Sequence, residues 1–484
     1  MSLARFRNLR ARTHRLTSIV LSTAVASAMA LTLGATTAQA RPVIPGAAGY
    51  GIETTAGRGG KVYKVTNLKA DGAGSLKACI DASGPRVCVF EVSGVIKLTS
   101  DLKVRNSNIT IAGQTAPAPG IMIRGAALDI TTSDVLVQHL RVRAGDDPVG
   151  PDPQNRDSLK IEGTSSKPVK NIVIDHCTFE WAIDETASVW GPHDNITFSN
   201  NIFAEALNES LHKDDATQTT RIPHGYGVLL GSSASGGRVT MIGNLLAHMV
   251  ERNPLVRSRE LVFVNNLVYN RGTMDYDGQT EYDRVTKSSL VGNAFLRGPD
   301  YSRTTRPIYL RTKGSASLVY GARVYVNDNW APESGSSLDD VVSLNGGDVI
   351  SGLLTTSTRP VWNSGINVIE NAHSAVYSSV LANAGARPVN RDRTDRRIVY
   401  SVRVRGGQII NCVAPNGTTR CKKNAGGWPS YTQNTRRLTI PSNPSTVASN
   451  GYTNLENWLH ALDDGMNGVS SSLSPTAPAS LSVK

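Results

Sequence analysis

Beyond its first forty residues the sequence has no stretch long and apolar enough to span a bilayer, which excludes a multi-spanning membrane protein. It has no Lys/Arg-rich helix, no aromatic RNA-binding motif and no zinc-finger spacing, so its basic balance does not point to nucleic acid. It has only five cysteines, none at metal-site spacing. Helical periodicity is missing between its apolar runs, which excludes an alternation of strands and crossover helices.

What is present begins with a leader. Arg5, Arg7, Arg10, Arg12 and Arg15 form a basic segment without an acidic residue, an apolar run follows to about Leu33, and Ala38, Gln39 and Ala40 make a small-x-small cleavage site. Residues 1–40 are therefore expected to be a secretory signal peptide. No Arg-Arg pair precedes the apolar run, so a twin-arginine route is not indicated. Cleavage would start the mature chain at Arg41 and lower the formal charge from +12 to +7. A moderately basic, secreted, monomeric protein with no membrane anchor after cleavage suits an anionic polymer as its partner. In an oxidising compartment Cys79 with Cys88, and Cys412 with Cys421, could each close a local loop; Cys177, inside an apolar strand, reads as a small buried hydrophobe.

The middle of the chain repeats one short pattern. Strand-like runs rich in Val, Ile, Thr and Phe end on Gln114, His139, His176, Asn201, Asn244, Asn266, Asn293 and Asn329. The intervals are 25, 37, 25, 43, 22, 27 and 36 residues, so one unit recurs and some copies carry an inserted loop. A chain that makes short strands and returns without a helix coils around an axis and builds parallel sheets. The fold class expected is all-β: a single-stranded right-handed parallel β-helix, a solenoid with short capping helices. Equivalent turn residues then stack at about 4.8 Å, and side-chain amides there can hydrogen-bond along the axis.

One cap is expected from Gly74 to Ile80, a short amphipathic helix before the first coil. Another begins at the capping box of Thr453 and Glu456, places Leu455, Trp458, Leu459 and Leu462 on one face, and is expected to stop at Gly465. The domain is expected to span residues 41–466, with 467–484, rich in Ser, Pro and Ala, as a disordered tail. Residues 331–450 show only weak periodicity.

Four polar features fall at broadly matching positions of consecutive coils: Asn155 with Asp157, Asp184 with Glu185 and Ser188, His224, and Arg252 with Pro254 and Arg257. Taken singly, Asp157 reads first as a turn carboxylate and His224 as a structural histidine, and Asp184 with Glu185 and the arginine pair also read as solvated surface. Stacked by a solenoid, they would share one flank.

The segment from Arg252 to Arg257 resembles the R-x-P-x-x-R signature of the pectate lyase family, and Ile174, Asp175 and His176 resemble its I-D-H strand. Gly57 to Tyr63, Gly72 to Leu76 and Gly84 to Arg86 are similar to its N-terminal segment, and Arg391 to Asp395 and Gly451 to Glu456 to the end of a bacterial subgroup. The resemblance implies calcium-assisted β-elimination on polygalacturonate or a related uronate polymer. It implies Asp157 and Asp184 as Ca2+ ligands, with Asn155 and Glu185 as further oxygen donors, Arg252 as the base and Arg257 as a clamp on substrate carboxylate. His224 or Lys213 stands in for a substrate-supporting lysine. Ser188 occupies a place where many members carry a last carboxylate, which leaves fewer anionic ligands for calcium.

Two rivals are testable against this. A β-helix glycoside hydrolase of the polygalacturonase kind needs a close carboxylate set. Asp146 with Asp147 and Asp214 with Asp215 are adjacent pairs, but both lie in loop insertions, and the Asn-Thr-Asp and Arg-Ile-Lys elements are absent. A non-catalytic glycan-binding β-helix would keep the amide stack without needing both arginines.

Overall fold

The structure, a computed structural model, describes residues 41–213, 220–231, 235–281, 284–302, 305–346, 350–363, 365–366 and 373–468. The expected signal peptide, Asp214, Asp215 and residues 469–484 of the expected tail lie outside the described residues.

The period-two alternation of the repeats decides which side chains enter the solenoid. In the first sheet Ile111, Val137, Ile174, Phe198, Met241, Phe263, Leu290 and Val326 are stacked by strand register from coil to coil, and all are buried. Each such burial contributes about 1.5–3 kcal/mol. The chain forms three sheets of 11, 8 and 9 strands whose neighbouring strands all pair in parallel, a parallel β-helix. One coil shows the plan: Val169–Asp175 in the first sheet, Thr178–Glu180 in the second, Glu185–Trp190 in the third.

The turn from the first to the second sheet carries the amide stack. Asn201, Asn244, Asn266, Asn293 and Asn329 form a buried ladder with Nδ2–Oδ1 distances of 3.0, 2.9, 3.1 and 2.8 Å. All five also donate to a strand carbonyl, as Asn244 does to Phe198. The ladder is five rungs long rather than eight. His139 and His176 fall one residue earlier, on the left-handed position (φ 55° and 47°) that Asn200, Gly243 and Asn265 fill in later coils. Cys177 takes the rung at this end, its N–H donating to Asn201 Oδ1 at 2.8 Å. Asn serves both positions, so spacing alone does not separate them.

The three outer faces are treated differently. On the first sheet Leu455 and Leu459, from the helix Asn454–Asn467, pack with Val87, Val89 and Ala112. That helix runs through Gly465 and ends at Gly468 (φ 78°), because an interior glycine costs only about 1 kcal/mol whereas the left-handed cap needs glycine. On the second sheet Val376, Val380, Ile398 and Val402, from the helices His373–Asn383 and Arg393–Arg403, cover Ile202, Leu245 and Leu267. Among the described residues, no helix packs on the middle of the third sheet. The helix Leu76–Asp81, N-capped by Ser75, closes the N-terminal end of the core. Disulfides join Cys79 to Cys88 and Cys412 to Cys421, and Cys177 is free and buried. No helix of the described residues is long and apolar enough to cross a membrane.

Candidate functional site

The third sheet turns alternate residues outward. Strand register stacks Asp129, Lys160, Ser188, Leu229, Leu255 and Asp277 in one outward column, and Glu162 beside Trp190 in the next. The coils that hold Asp157, His212 and His224 carry their extra residues between the second and third sheets, 144–158 after Leu140–Arg143 and 205–225 after Ile202–Ala204. Gln154, Asn155 and Asp157 from the first of these segments and His212 and His224 from the second line a cleft of about 390 Å3 over the column.

Three carboxylates meet in this cleft. Asp157, Asp184 and Glu185 each offer an oxygen within 4.8 Å of the others. Asp157 is buried and accepts from Ser188 Oγ. Burial, and then the charge of Asp184, push its carboxyl well above the usual range. Asp184 Oδ1 lies 2.8 Å from His224 Nε2. Glu185 contacts the Arg252 guanidinium.

Opposite stand the two arginines. Arg252 has a left-handed backbone (φ 62°), a sparsely populated conformation for a non-glycine residue. Its guanidinium lies 4.2 Å from the Tyr226 ring centroid. Burial draws it down to about 10; Arg257 adds to this, while Asp184 and Asp277 oppose it. Arg257 Nε donates to Gln279 Oε1 at 3.1 Å, its Nη1 pairs with Glu281 at 3.5 Å, and the residue lines the cleft.

The cleft thus collects Asn155, Asp157, Asp184, Glu185, His224, Arg252 and Arg257. Lys213 is not among its lining residues; its backbone pairs with the Gln154 amide at 2.8 and 2.9 Å. Asp147 is held by Arg124 at 2.8 Å and Asp146 faces the Val413 N–H, so that pair does not form an acid–base couple here. Lys160, Glu162 and His212 line the cleft unannounced. The alternation in Leu159–Glu162 signals the first two: with Leu159 and Ile161 in the core, Lys160 and Glu162 must face out. Lys160 bonds Asp101 at 2.9 Å; burial works against its charge, but Asp157 and Asp101 outweigh it and raise its pKa. His212 gives no comparable signal, since its ring reaches the cleft only through the fold of an insertion.

The donor set suits a hard cation. Three converging carboxylates, with a neighbouring amide oxygen at Asn155, supply oxygen ligands, and a cation would relieve the repulsion that Asp157 registers against Asp184. Calcium takes six to eight oxygens, so these side chains leave positions for water and for a ligand carboxylate.

No family model matches the chain. Curated relatives include a probable pectate lyase C of Neosartorya fischeri, 31% identical over 442 residues, which cover 86% of this chain and 93% of the relative. A probable pectate lyase C of Aspergillus fumigatus is 32% identical over 434 residues, with the same coverage. Among solved structures, Jun a 1, the major allergen from cedar pollen, aligns with a TM-score of 0.50 over 70% of this chain and 92% of its own, at 18% identity, a likeness of fold.

Proposed function

The chain belongs to the pectate lyase family, and we propose that it cleaves polygalacturonate, or a related acidic uronate polymer, by β-elimination in the cleft over the third sheet. The observation that carries this reading is the facing arrangement of three carboxylates and two arginines in one cleft.

The C5 proton of a uronate is weakly acidic because it lies α to a carboxylate. Calcium held by Asp157, Asp184, Glu185 and the Asn155 amide would supply the positive charge that neutralises that carboxylate and stabilises the developing enolate. Arg257 orients the same group, its planar fork matching a carboxylate. Arg252 takes the C5 proton. The C5–H electron pair becomes the C4–C5 double bond, the C4–O bond breaks, and the departing oxygen takes a proton from water. An arginine acts as a base only when neutral, and its ordinary value is above 12. At about 10, roughly a tenth of the molecules would be neutral one pH unit lower. Glu185 opposes this while it touches Arg252; drawing Glu185 onto a cation would release the guanidinium. His224 supports substrate at the cleft wall.

The leader expected in residues 1–40 supports export to the medium, where an extracellular polymer is met, and we propose that the enzyme works there as a monomer. The test is to incubate the mature protein with polygalacturonate, with and without calcium. Ultraviolet absorbance of an unsaturated uronate is the expected product signal. New reducing ends without that absorbance would establish a hydrolase, and neither signal would leave a binding protein.

A further inference from the structure

One end of the cleft is lined by an aromatic ring left open to solvent. Trp190 closes the strand Glu185–Trp190, turns outward beside Glu162 and is 49% exposed. Tryptophan is highly buried on average, so an indole left open inside a cleft needs a reason. Among the described residues no other ring, cation or hydrogen-bonding group engages that indole.

The column that holds Trp190 leads to Arg257. Leu229 pairs with Leu255 across coils, and two residues further on stand Gly231 and Arg257. The Gly231 N–H donates to the Val189 carbonyl at 2.9 Å and the Arg257 N–H to the Leu230 carbonyl at 2.8 Å, so Trp190, Gly231 and Arg257 follow one another from coil to coil. Gly231 puts no side chain between the indole and Arg257, which is two coil steps, or about 10 Å, along the axis.

The charge differs at the two ends. Arg252 stands with Arg257 at one. At the other, Glu162 has Asp129 and Asp101 for neighbours, and the nearby ammonium groups are taken: Lys160 Nζ lies 2.9 Å from Asp101, and Lys103 Nζ 2.5 Å from Asp129. Burial, and then Asp129, already hold the Glu162 carboxyl above its usual range against Lys160 and Lys103, so one more carboxylate placed there would be repelled.

The face of an indole is the negative side of its quadrupole; it suits the weakly positive C–H hydrogens of a pyranose ring and repels a carboxylate. We propose that Trp190 is the platform of a sugar subsite that takes an uncharged unit, a uronate whose carboxyl is esterified, while the arginine end of the cleft takes a charged one. The substrate class that fits both is a partly esterified uronate polymer. Full esterification would leave Arg257 no carboxylate to hold, and none would set a carboxylate against Glu162. This rests on the reading of the cleft as the place where a uronate polymer binds.

The test is calorimetry, in the presence of calcium, with oligogalacturonates that are unesterified, partly methyl-esterified and fully methyl-esterified. The protein is the mature Arg252→Ala form, which leaves the oligomers uncut. The partly esterified oligomer should bind the most tightly, and adding Trp190→Ala should lower its affinity about tenfold, with Trp190→Phe restoring most of the loss. Glu162→Gln should raise affinity for the unesterified oligomer. Tyr400→Ala, at an exposed ring on the helix over the second sheet, should change none of the three affinities. Binding of the unesterified oligomer as tight as that of the partly esterified one, or a Trp190→Ala effect that is absent or equal for all three, would overturn the proposal. Ultraviolet absorbance from the wild-type protein decides the lyase reading separately. Unsaturated product without a binding preference sinks the platform alone; a preference without unsaturated product sinks the lyase alone.

Discussion

Over the second sheet, Arg141 and Arg143 meet Glu180, Asp392 and Asp395 with every side chain buried; over the third, Arg252 and Arg257 line an open cleft together with Asp157, Asp184 and Glu185. On the covered side the two aspartates are saturated, while Glu180 pairs with Arg143 through one oxygen and leaves the other buried without a hydrogen bond. Asp395 accepts from Arg141 Nε and Arg143 Nη2, both at 2.8 Å, and from Thr178. Asp392 accepts from Arg143 at 2.7 Å, from Tyr431 at 2.7 Å and from the Asp395 N–H. On the open side Asp157 has Ser188 and Glu185 has Arg252, while a carboxylate offers about four acceptor positions. The same residue types hold a helix onto the solenoid where Asp392 and Asp395 use up their lone pairs, and line a cleft where carboxylates with lone pairs to spare are reached from outside.

Single changes can break this contrast. Arg252→Ala should lower the elimination rate about 10²–10⁴-fold while the thermal melt stays that of the wild type; turnover near the wild-type rate would remove Arg252 from the mechanism. On the covered side Asp395→Ala should do the reverse, costing about 3–5 kcal/mol in urea unfolding by stranding two buried guanidinium groups. A loss below about 1 kcal/mol would mean that the layer is less saturated than its distances indicate. Asn266→Ala, in the ladder common to both sides, should cost about 3 kcal/mol, because it strands groups on Asn244 and Asn293.

The pH profile sharpens the comparison further. Arg252 must be neutral to accept a proton, so kcat/KM should climb with pH, up to about tenfold per unit, and level off above about 10. A rate already flat between neutral pH and that value would point to another base. The smallest expected effect is at the metal: Asp184→Ala should raise the calcium concentration needed for half-maximal rate about tenfold. An unchanged requirement would remove Asp184 from the ligand set.

The coil was legible because burial enforces a period of two, and Val135, Ile172 and Val239 could face nowhere else. That Asp157, Asp184, Arg252 and Arg257 share one flank was legible because a fixed coil brings broadly matching positions together. Lys213 was a candidate beside His224 because an insertion breaks that matching, and only the fold shows which of the two side chains lines the cleft. The helices within 331–450 were hidden for a different reason. Arg393–Arg403 is so rich in arginine that its buried face, Ile398, Val399 and Val402, is diluted, and Asp392 and Asp395 look like surface charge until Arg141 and Arg143 are known to lie beneath them.

The loops that wall the cleft leave and rejoin the coil on the far side of the amide ladder. Residues 205–225 make the interval from Asn201 to Asn244 the longest of the series, yet Asn201 still bonds Asn244 at 3.0 Å. Lengthening or trimming that segment would therefore reshape what the enzyme can grip without shifting a rung, so substrate preference can be retuned by grafting a loop while the scaffold keeps its register.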